Sequence, residues 1–169
     1  MNALPRALAL TAALLTSGTA LAGEAVPVNA TFGIQWEPMN WNPYAPPPGP
    51  GEPDPNPVVR ETCSVGAAGL PNGKVLAIDG CDEIDTAAGT IKGEAALLFS
   101  YDDGVVVEYE GRAGFDPLTF TAGFSGPMKV VYGWGRFAGA TGSLTIRSSI
   151  LFGPFVGTFD IKGVIKTAD

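Results

Sequence analysis

Residues 132–145 constrain the fold of this chain more than any other segment. They read Tyr-Gly-Trp-Gly-Arg-Phe-Ala-Gly-Ala-Thr-Gly-Ser-Leu-Thr, with glycines at regular places around Phe137. Gly133 and Gly135 permit a sharp bend and a close approach of two backbones, and residues 140–142 can reverse the chain into a new strand. The segment therefore predicts a strand-turn-strand unit in which Phe137 plugs one end of a β-structure.

Apolar and polar residues alternate along much of the remaining chain. In residues 29–37 the alternation puts Ala30, Phe32, Ile34 and Trp36 on one face of a strand. Similar patterns make about nine strand segments in all. The later segments are 59–65, 74–79, 90–101, 104–115, 118–124, 128–137, 143–151 and 155–165.

Short turn signals separate these segments, and short connections imply sequential antiparallel pairing. Glycines also recur inside the segments, where strong coiling and bulges are the usual reason for them. We therefore expect an all-β fold, an up-and-down antiparallel barrel of about eight strands, with a β-sandwich as the alternative. The turn signals are Pro71-Asn72-Gly73, Asp79-Gly80, Asp102-Asp103-Gly104, Asp116-Pro117, Ser125-Gly126-Pro127 and Gly153-Pro154.

The first 22 residues have the pattern of a secretory signal peptide. Arg6 precedes an apolar run, and Ala20-Leu21-Ala22 forms a small-x-small cleavage site. The apolar run is well short of the roughly 20 residues that a bilayer span needs, so we expect no membrane insertion. We expect cleavage after Ala22, export to the periplasm or the medium, and one domain over residues 23–169.

Cys63 and Cys81 are the two cysteines of the chain. In an exported protein such a pair is expected to form a disulfide. The alternative, a reactive thiol, is disfavoured because Asp82 and Glu83 beside Cys81 would oppose formation of a thiolate.

Composition excludes several classes of function. The chain has no histidine, which removes the most common general base and most zinc sites. After loss of the leader, nine Lys and Arg face seventeen Asp and Glu. Nucleic acid is therefore not expected as a partner, since its binding requires clustered positive charge.

Residues 38–57 interrupt the strand pattern with a proline-rich segment. Each proline removes an amide donor and fixes φ, so neither a helix nor a paired strand can run through it. We expect a long loop there, and Trp41 and Tyr44 are its aromatic residues. These aromatics could grip a partner protein or other ligand, or they could cover an open end of the barrel.

The motif Gly133-Trp134-Gly135-Arg136-Phe137-Ala138-Gly139-Ala140-Thr141-Gly142 resembles the glycine hairpin of allene oxide cyclase and dirigent-like β-barrels, including exported bacterial members. The resemblance extends more loosely over residues 86–166. It implies an eight-stranded barrel with an apolar interior, no metal, no organic cofactor, and dimers or trimers. Trp134 stands where that group has a small residue, the 38–57 loop is foreign to its pattern, and no catalytic residue can be carried over by motif.

Residues 104–115 contain the best polar candidate for the interior. Alternation puts Tyr109 inside with Val105 and Val107, whereas Glu108 and Glu110 face solvent. The acidic residues around Asp79 to Asp85 do not have the spacing of an EF-hand, so no metal site is expected. We expect a ligand to contact interior aromatic residues. These are Trp36, Tyr109, Phe120, Phe124, Tyr132 and Trp134.

The sequence favours a non-catalytic exported barrel that binds a small hydrophobic molecule or a partner protein. A cofactor-free cyclase or isomerase acting in the barrel is the first alternative, and its sign would be a titratable side chain inside with a shifted pKa. A structural or surface-interaction protein that works through the 38–57 loop is the second.

Overall fold

The computed structural model describes residues 23–46, 48–70 and 75–168. In this part of the chain eight strands form a closed antiparallel barrel. The predicted leader, its cleavage site after Ala22 and the predicted turn 71–73 lie outside the described residues. The strands are β1 (Ala25–Pro38), β2 (Val59–Gly69), β3 (Val75–Asp85), β4 (Thr90–Leu98), β5 (Gly104–Asp116), β6 (Thr121–Trp134), β7 (Thr141–Leu151) and β8 (Val156–Lys166).

Each strand pairs with the next one, and β8 pairs with β1 to close the cylinder. The closing pair is long, from Ala25 opposite Lys166 to Gln35 opposite Val156. Closure gives each described strand a neighbour on both sides, so none of them is an edge strand that could template edge-to-edge aggregation. The predicted barrel is confirmed, and the sandwich alternative is wrong.

The hydrophobic core fills the inside of the barrel. Strand β1 shows how the sequence builds it, because its even-numbered residues from Val28 to Trp36 are buried while their neighbours are exposed. The predicted inward face of this strand is therefore confirmed. The largest completely buried side chains include Phe32, Phe137, Phe159, Leu76, Ile78, Leu97 and Met128.

Two predicted turns are wrong, because both segments lie inside strands. Asp79 and Gly80 belong to β3, where they pair with Val65 and Ser64 of β2. The segment Ser125-Gly126-Pro127 belongs to β6, so the predicted strands 118–124 and 128–137 merge into one. The glycine here serves strand packing, because a Cβ on Gly126 would lie 2.0 Å from the Glu110 carbonyl oxygen on β5.

The barrel has two ends, which we call the base and the mouth. The base carries the β4–β5 and β6–β7 turns, and Phe137 is completely buried there, which confirms its predicted role as a plug. The reversal is made by the 3₁₀ turn Gly135–Phe137 and by Gly139 at φ 72°. The predicted reversal at residues 140–142 is therefore too late, because Thr141 already opens β7.

The mouth carries the β3–β4, β5–β6 and β7–β8 turns and the β1–β2 loop, called here the 39–58 loop, of which residues 39–46 and 48–58 are described. Between the two ends, Cys63 and Cys81 sit opposite each other on β2 and β3 and form the predicted disulfide. No helix in the described ranges is long and apolar enough to cross a membrane.

Candidate functional site

A cavity of about 430 Å³ opens at the mouth of the barrel. Its inner wall consists of core side chains near the ends of the strands, and its outer wall consists of the mouth turns and the 39–58 loop. Aromatic and aliphatic groups dominate this lining. They include Trp36, Trp41, Ile84, Ile91, Phe115, Phe120, Phe124, Ile150 and Phe152.

The 39–58 loop is fastened over the mouth by backbone and side-chain hydrogen bonds. Met39 N donates to the Glu61 carbonyl oxygen at 2.9 Å, and Asn42 N donates to Asn56 Oδ1 at 2.8 Å. Across the mouth, the Tyr44 hydroxyl donates to the carbonyl oxygen of Gly153 at 3.2 Å. Trp41 lines the cavity under the loop, as the predicted covering of the barrel end requires, whereas Tyr44 is 72% exposed.

Trp36 is the centre of an aromatic cluster under this loop. Its ring centroid lies 5.9 Å from that of Trp41, 5.6 Å from that of Phe152 and 5.7 Å from that of Phe155. Only 2% of Trp36 is exposed. The cluster packs residues of the loop, strand β1 and the β7–β8 turn against one another. These contacts fix the position of the cavity wall.

Two mouth residues adopt a backbone conformation that is unfavourable for side chains with a Cβ. Phe120 and Phe155 both have φ of 52°, each at the residue just before a strand. A phenylalanine in this left-handed region costs about 1 kcal/mol or more. The neighbouring chain holds both in place, because Phe152 N donates to the Phe120 oxygen and Trp36 N donates to the Phe155 oxygen. Strain of this kind concentrates at binding sites.

Deeper in the barrel, polar side chains form a row across four strands. Thr62 on β2 lies opposite Asp82, Asp82 lies opposite Gly93, and Gly93 lies opposite Tyr109. The Tyr109 hydroxyl donates to Asp82 Oδ2 at 3.1 Å, and the Thr62 hydroxyl donates to Oδ1. Gly93 makes the bond from Tyr109 feasible, because a Cβ there would lie 2.7 Å from the Tyr109 oxygen.

Burial shifts the protonation of both acidic groups in this row. It raises the pKa of the Asp82 carboxyl from 3.8 to about 6, against the opposing effect of the hydrogen bonds from Thr62 and Tyr109. Burial, and then the charge of Asp82, also raises the pKa of the Tyr109 phenol. Asp82 can therefore take up or release a proton close to neutral pH, while Tyr109 remains a hydrogen-bond donor.

Phe124 connects the polar row to the mouth cavity. Its ring stacks on that of Tyr109, with centroids 5.7 Å apart and planes 6° apart, and it also lines the cavity. Asp82 is 4% exposed and does not line the cavity. The carboxyl therefore lies one layer of side chains below the cavity floor.

Comparison with solved structures finds the same architecture in a pterocarpan synthase dirigent protein. The superposition has a TM-score of 0.55 at 10% sequence identity and covers 96% of this chain and 98% of that one. This chain has the dirigent-like barrel fold. At this identity the likeness extends to the fold alone, which agrees with the resemblance of the glycine hairpin. No protein-family model matches the chain, and no curated protein matches it significantly.

Three of the six predicted ligand residues lie inside this dirigent-like barrel. Trp36 and Phe124 line the mouth cavity, and Tyr109 lies directly below Phe124. A fourth, Phe120, lies at the cavity rim and is 62% exposed. It was predicted inside a strand, but residues 118–120 belong to the β5–β6 turn and β6 begins at Thr121.

The other two predicted residues, Tyr132 and Trp134, are not in the interior near the cavity. An irregularity in the β5–β6 register skips one residue of β6, so Val131 and Tyr132 are both exposed. The predicted inward position of Tyr132 is therefore wrong. Trp134 lies near the base against Gly104, where a Cβ would lie 2.3 Å from its indole ring.

Asp82 is the interior polar residue that the sequence analysis missed. The pair Asp79-Gly80 predicts a turn, which interrupts the apolar-polar alternation before it reaches Asp82. Continuing the alternation through Ile78, Gly80, Asp82 and Ile84 would have put its side chain inside. Asp82 and Glu83 face opposite sides of β3, and in the described part of the chain no three potential metal ligands converge.

A larger open groove of about 1150 Å³ crosses the wall of the dirigent-like barrel from β2 to β7, and its lining includes the buried residues Thr62, Asp82 and Tyr109. Its exposed side chains are mostly charged, and Lys92 pairs with Glu83 at 2.8 Å. Glu108 and Glu110 belong to this outer surface, as predicted. The groove lacks the enclosed apolar lining of the mouth cavity, which remains the better candidate for a small-molecule site.

Proposed function

We propose that this protein is an exported barrel that binds a small, largely apolar molecule in the mouth cavity without transforming it. The aromatic cavity of about 430 Å³ carries this proposal, because its volume falls within the range of small-ligand sites. Aromatic side chains provide large apolar contact areas to such a ligand. The fastened loop supports the proposal further, because a lid can shield the bound molecule from water.

The test is a titration with the neutral fluorescent probe N-phenyl-1-naphthylamine. We expect saturable binding at one site, with quenching of tryptophan fluorescence because Trp36 and Trp41 line the cavity. Phe152→Ala should weaken binding about tenfold, since it removes a ring from the wall.

Tyr101→Ala is the matched control, because Tyr101 lies in the β4–β5 turn at the base and is 97% exposed. It should leave the affinity unchanged. Absence of saturable binding, or equal weakening by both substitutions, would refute the mouth site. Native mass spectrometry of protein purified from its own host would reveal a co-purifying molecule and the oligomeric state.

A second candidate function is a cofactor-free cyclase or isomerase, and the Asp82–Tyr109 pair favours it. A buried carboxyl with a pKa of about 6 can supply a proton near neutral pH. This role requires a substrate to reach the carboxyl, either from the mouth cavity by displacing Phe124 or from the side groove, whose lining includes Asp82 and Tyr109. The pKa of Asp82, followed by carbon NMR of its carboxyl, should then change when the naphthylamine probe binds. An unchanged pKa favours binding alone.

Export is also part of the proposal. The Cys63–Cys81 disulfide supports it, because disulfides persist mainly in oxidising compartments. The intact mass and the N-terminal sequence of protein from its own host test it directly. We expect Gly23 at the N-terminus, and retention of residues 1–22 would contradict the prediction.

Recognition of a partner protein through the 39–58 loop is the remaining alternative. Trp41 packs on Trp36 and helps to cover the mouth, whereas Tyr44 contacts Phe155 but is 72% exposed and is therefore accessible to a partner. A barrel with the loop shortened should lose probe binding if the loop is a lid. If the loop instead captures a partner, the shortened barrel should bind the probe normally.

A further inference from the structure

The β5–β6 turn exposes large apolar side chains beside the opening of the mouth cavity. Residues 115–120 are all exposed, and Leu118 is almost completely accessible to solvent. Phe115 and Phe120 are each more than half exposed, and both also line the cavity. These three side chains, which we call the apolar tip, therefore border the cavity opening.

The tip is held in a defined conformation. Asp116 Oδ1 accepts a hydrogen bond from Leu118 N, and Asp116 Oδ2 accepts one from the Thr119 hydroxyl, both at 2.9 Å. Phe120 has a φ of 52°, and its carbonyl oxygen accepts from Phe152 N. Backbone strain and exposed apolar area both cost stability, so their coincidence in one turn points to a contact with another surface.

Neighbouring side chains extend the tip into a patch. Phe115 packs edge-on against Phe120, with ring centroids 6.1 Å apart, and against Phe152 at 5.2 Å. Leu151, the residue before Phe152, is also exposed and lies opposite Thr121 at the start of β6. Large apolar side chains grouped on two turns of one barrel end differ from the single ones scattered over an ordinary surface.

The outer wall behind the tip carries two arginines. Arg112 of β5 lies opposite Ser125 of β6, which lies opposite Arg147 of β7. Both arginines are exposed, and within the described ranges neither forms a salt bridge. Arg112 is about 13 Å along the strand from Asp116, the last residue of β5. Because an arginine side chain is long, its charge can extend toward a surface that the tip contacts.

The charges around the tip fit a zwitterionic lipid surface. Arg112 and Arg147 suit the phosphate groups of such a surface, whereas Asp116 suits its positively charged amines. Exposed phenylalanine rings also attract quaternary ammonium groups such as choline. Asp160 lies opposite Arg147, and acidic residues outnumber basic ones in the whole chain. This excess of negative charge opposes approach to an anionic bilayer.

The size of the patch favours lipid over a second protein. A stable protein interface buries about 800 Å² on each partner and needs a surface of matching shape. The patch consists of a few partly exposed side chains on two turns, which supply well below that area. A fluid bilayer accepts an apolar tip without a matching shape.

We propose that the apolar tip docks on the surface of a zwitterionic phospholipid bilayer, with Arg112 and Arg147 near the lipid phosphates. The contact is peripheral, because the tip touches the lipid while the barrel stays in water. Docking places the opening of the mouth cavity against a phase in which apolar molecules accumulate. The inference goes beyond the proposed function, since it assigns a partner to the outer surface of the mouth rather than a ligand to the cavity.

The test is sedimentation of the mature protein with sucrose-loaded phosphatidylcholine vesicles. Wild type should sediment with the vesicles in proportion to the lipid concentration. Leu118→Ser should weaken this partitioning about fivefold, because the tip loses an apolar side chain. Leu118 lies outside the cavity lining, so the same variant should bind N-phenyl-1-naphthylamine with unchanged affinity.

Tyr101→Ser is the matched control, because it removes an exposed ring from the base and should sediment like wild type. Absence of sedimentation, or equal sedimentation of wild type and Leu118→Ser, would overturn the inference. Neither result affects the proposed function, whose measure is probe affinity. Sedimentation with phosphatidylglycerol vesicles alone would also overturn the inference, as would complete loss at about 0.5 M salt, because both indicate a purely electrostatic contact.

Native mass spectrometry without lipid tests a second copy of the chain as the partner. A dimer that Leu118→Ser abolishes would assign the tip to that copy and overturn lipid docking.

An NMR measurement on wild type locates the contact without any substitution. Phosphatidylcholine nanodiscs with a nitroxide on the headgroup should broaden the amide signals of Leu118 and Thr119 more than that of Tyr101. Equal or reversed broadening would contradict docking through the tip.

Discussion

The two ends of the barrel use aromatic side chains in opposite ways. At the base, Phe137 is completely buried and packs on Phe99 with ring centroids 4.5 Å apart. Arg136 covers Phe137 at 4.7 Å, and its Nε lies 3.7 Å from Asp103 Oδ2. Among the described residues, these aromatics pack against one another and fill this end of the cylinder.

At the mouth, aromatics line a space rather than fill it. Phe120 is 62% exposed in a strained backbone conformation, and among the described residues the buried N–H of Trp41 has no acceptor. A long loop replaces the tight turn found at the base. Each of these features costs stability, and they occur together at one end of the molecule.

Close packing that stabilises the fold is concentrated at the base, whereas the proposed binding site lies at the mouth of the same fold. The strands between them are packed with large buried side chains such as Phe32, Phe159 and Met128. Substitutions at the base should therefore change the free energy of unfolding with little effect on probe binding. Substitutions at the mouth should change probe affinity with little effect on the free energy of unfolding.

Phe137→Ala should have the largest effect on stability. Truncation of a fully buried phenylalanine removes its packing and leaves a cavity, which lowers the free energy of unfolding by about 3–5 kcal/mol. Urea denaturation measures the loss. Affinity for N-phenyl-1-naphthylamine should be unchanged in the folded variant, because Phe137 lies at the opposite end from the mouth cavity.

The control for this variant is Phe115→Ala at the mouth, where the side chain is 52% exposed. It should cost much less stability and should weaken probe binding. If Phe137→Ala also abolished binding, the division of roles between the two ends would be wrong.

Removal of the disulfide should have the next largest effect. Cys63 and Cys81 are 18 residues apart, and closing a loop of that size is worth about 3 kcal/mol in the chain-entropy model. The double substitution of both cysteines by alanine should lower the free energy of unfolding by that amount without changing probe affinity, because the disulfide lies on the side wall. A loss of probe binding would show that the conformation of the side wall affects the mouth cavity.

The base was predictable from sequence because its pattern is local. Gly133, Gly135 and Phe137 lie within five residues, and their turn chemistry predicts a bend with a buried plug, although the reversal lies at residues 135–139 rather than at the predicted 140–142. The disulfide was predictable for a similar reason, since two cysteines allow one pairing. These features depend on few long-range contacts.

The site was harder to predict, because its parts meet only in the closed barrel. Asp82 and Tyr109 are 27 positions apart, and their contact depends on the register across β3, β4 and β5 and on the missing side chain of Gly93. The exposure of Tyr132 depends on one register irregularity that simple alternation does not reveal. Sequence periodicity predicts which face of a strand a residue occupies, whereas these contacts depend on the register between neighbouring strands.

Asp82 makes the stability of the fold depend on pH. The stability that it contributes decreases as pH rises, whereas the contribution of an ordinary stabilising carboxylate increases. Its folded-state pKa of about 6 exceeds the usual 3.8, so the folded protein binds the proton more tightly. The stability that it contributes is present below pH 3.8 and is lost as pH rises through 6. The pKa difference corresponds to about 3 kcal/mol at most.

Urea denaturation of wild type and Asp82→Asn between pH 4 and pH 8 measures this effect. Asparagine stays uncharged, so the variant should become more stable relative to wild type as pH rises. Comparing the two proteins cancels other carboxylates, such as Asp116 at the mouth, whose pKa is lowered by the backbone N–H of Leu118. A pH-independent difference between the two proteins would contradict the raised pKa.

Phe120→Gly should change stability least and separate the two ends most clearly. Glycine adopts a φ of 52° without strain, while the exposed ring contributes little to the core. Relief of strain and the greater freedom of unfolded glycine act in opposite directions, so the free energy of unfolding should change by less than about 1 kcal/mol. Probe affinity should fall about fivefold, because the rim of the cavity loses an aromatic contact.

Leu118→Gly, in the same turn and 93% exposed but outside the cavity lining, is the control and should leave affinity unchanged. If Phe120→Gly destabilised the barrel by several kcal/mol, the strained phenylalanine would be a structural element of the mouth, and the contrast with the base would fail.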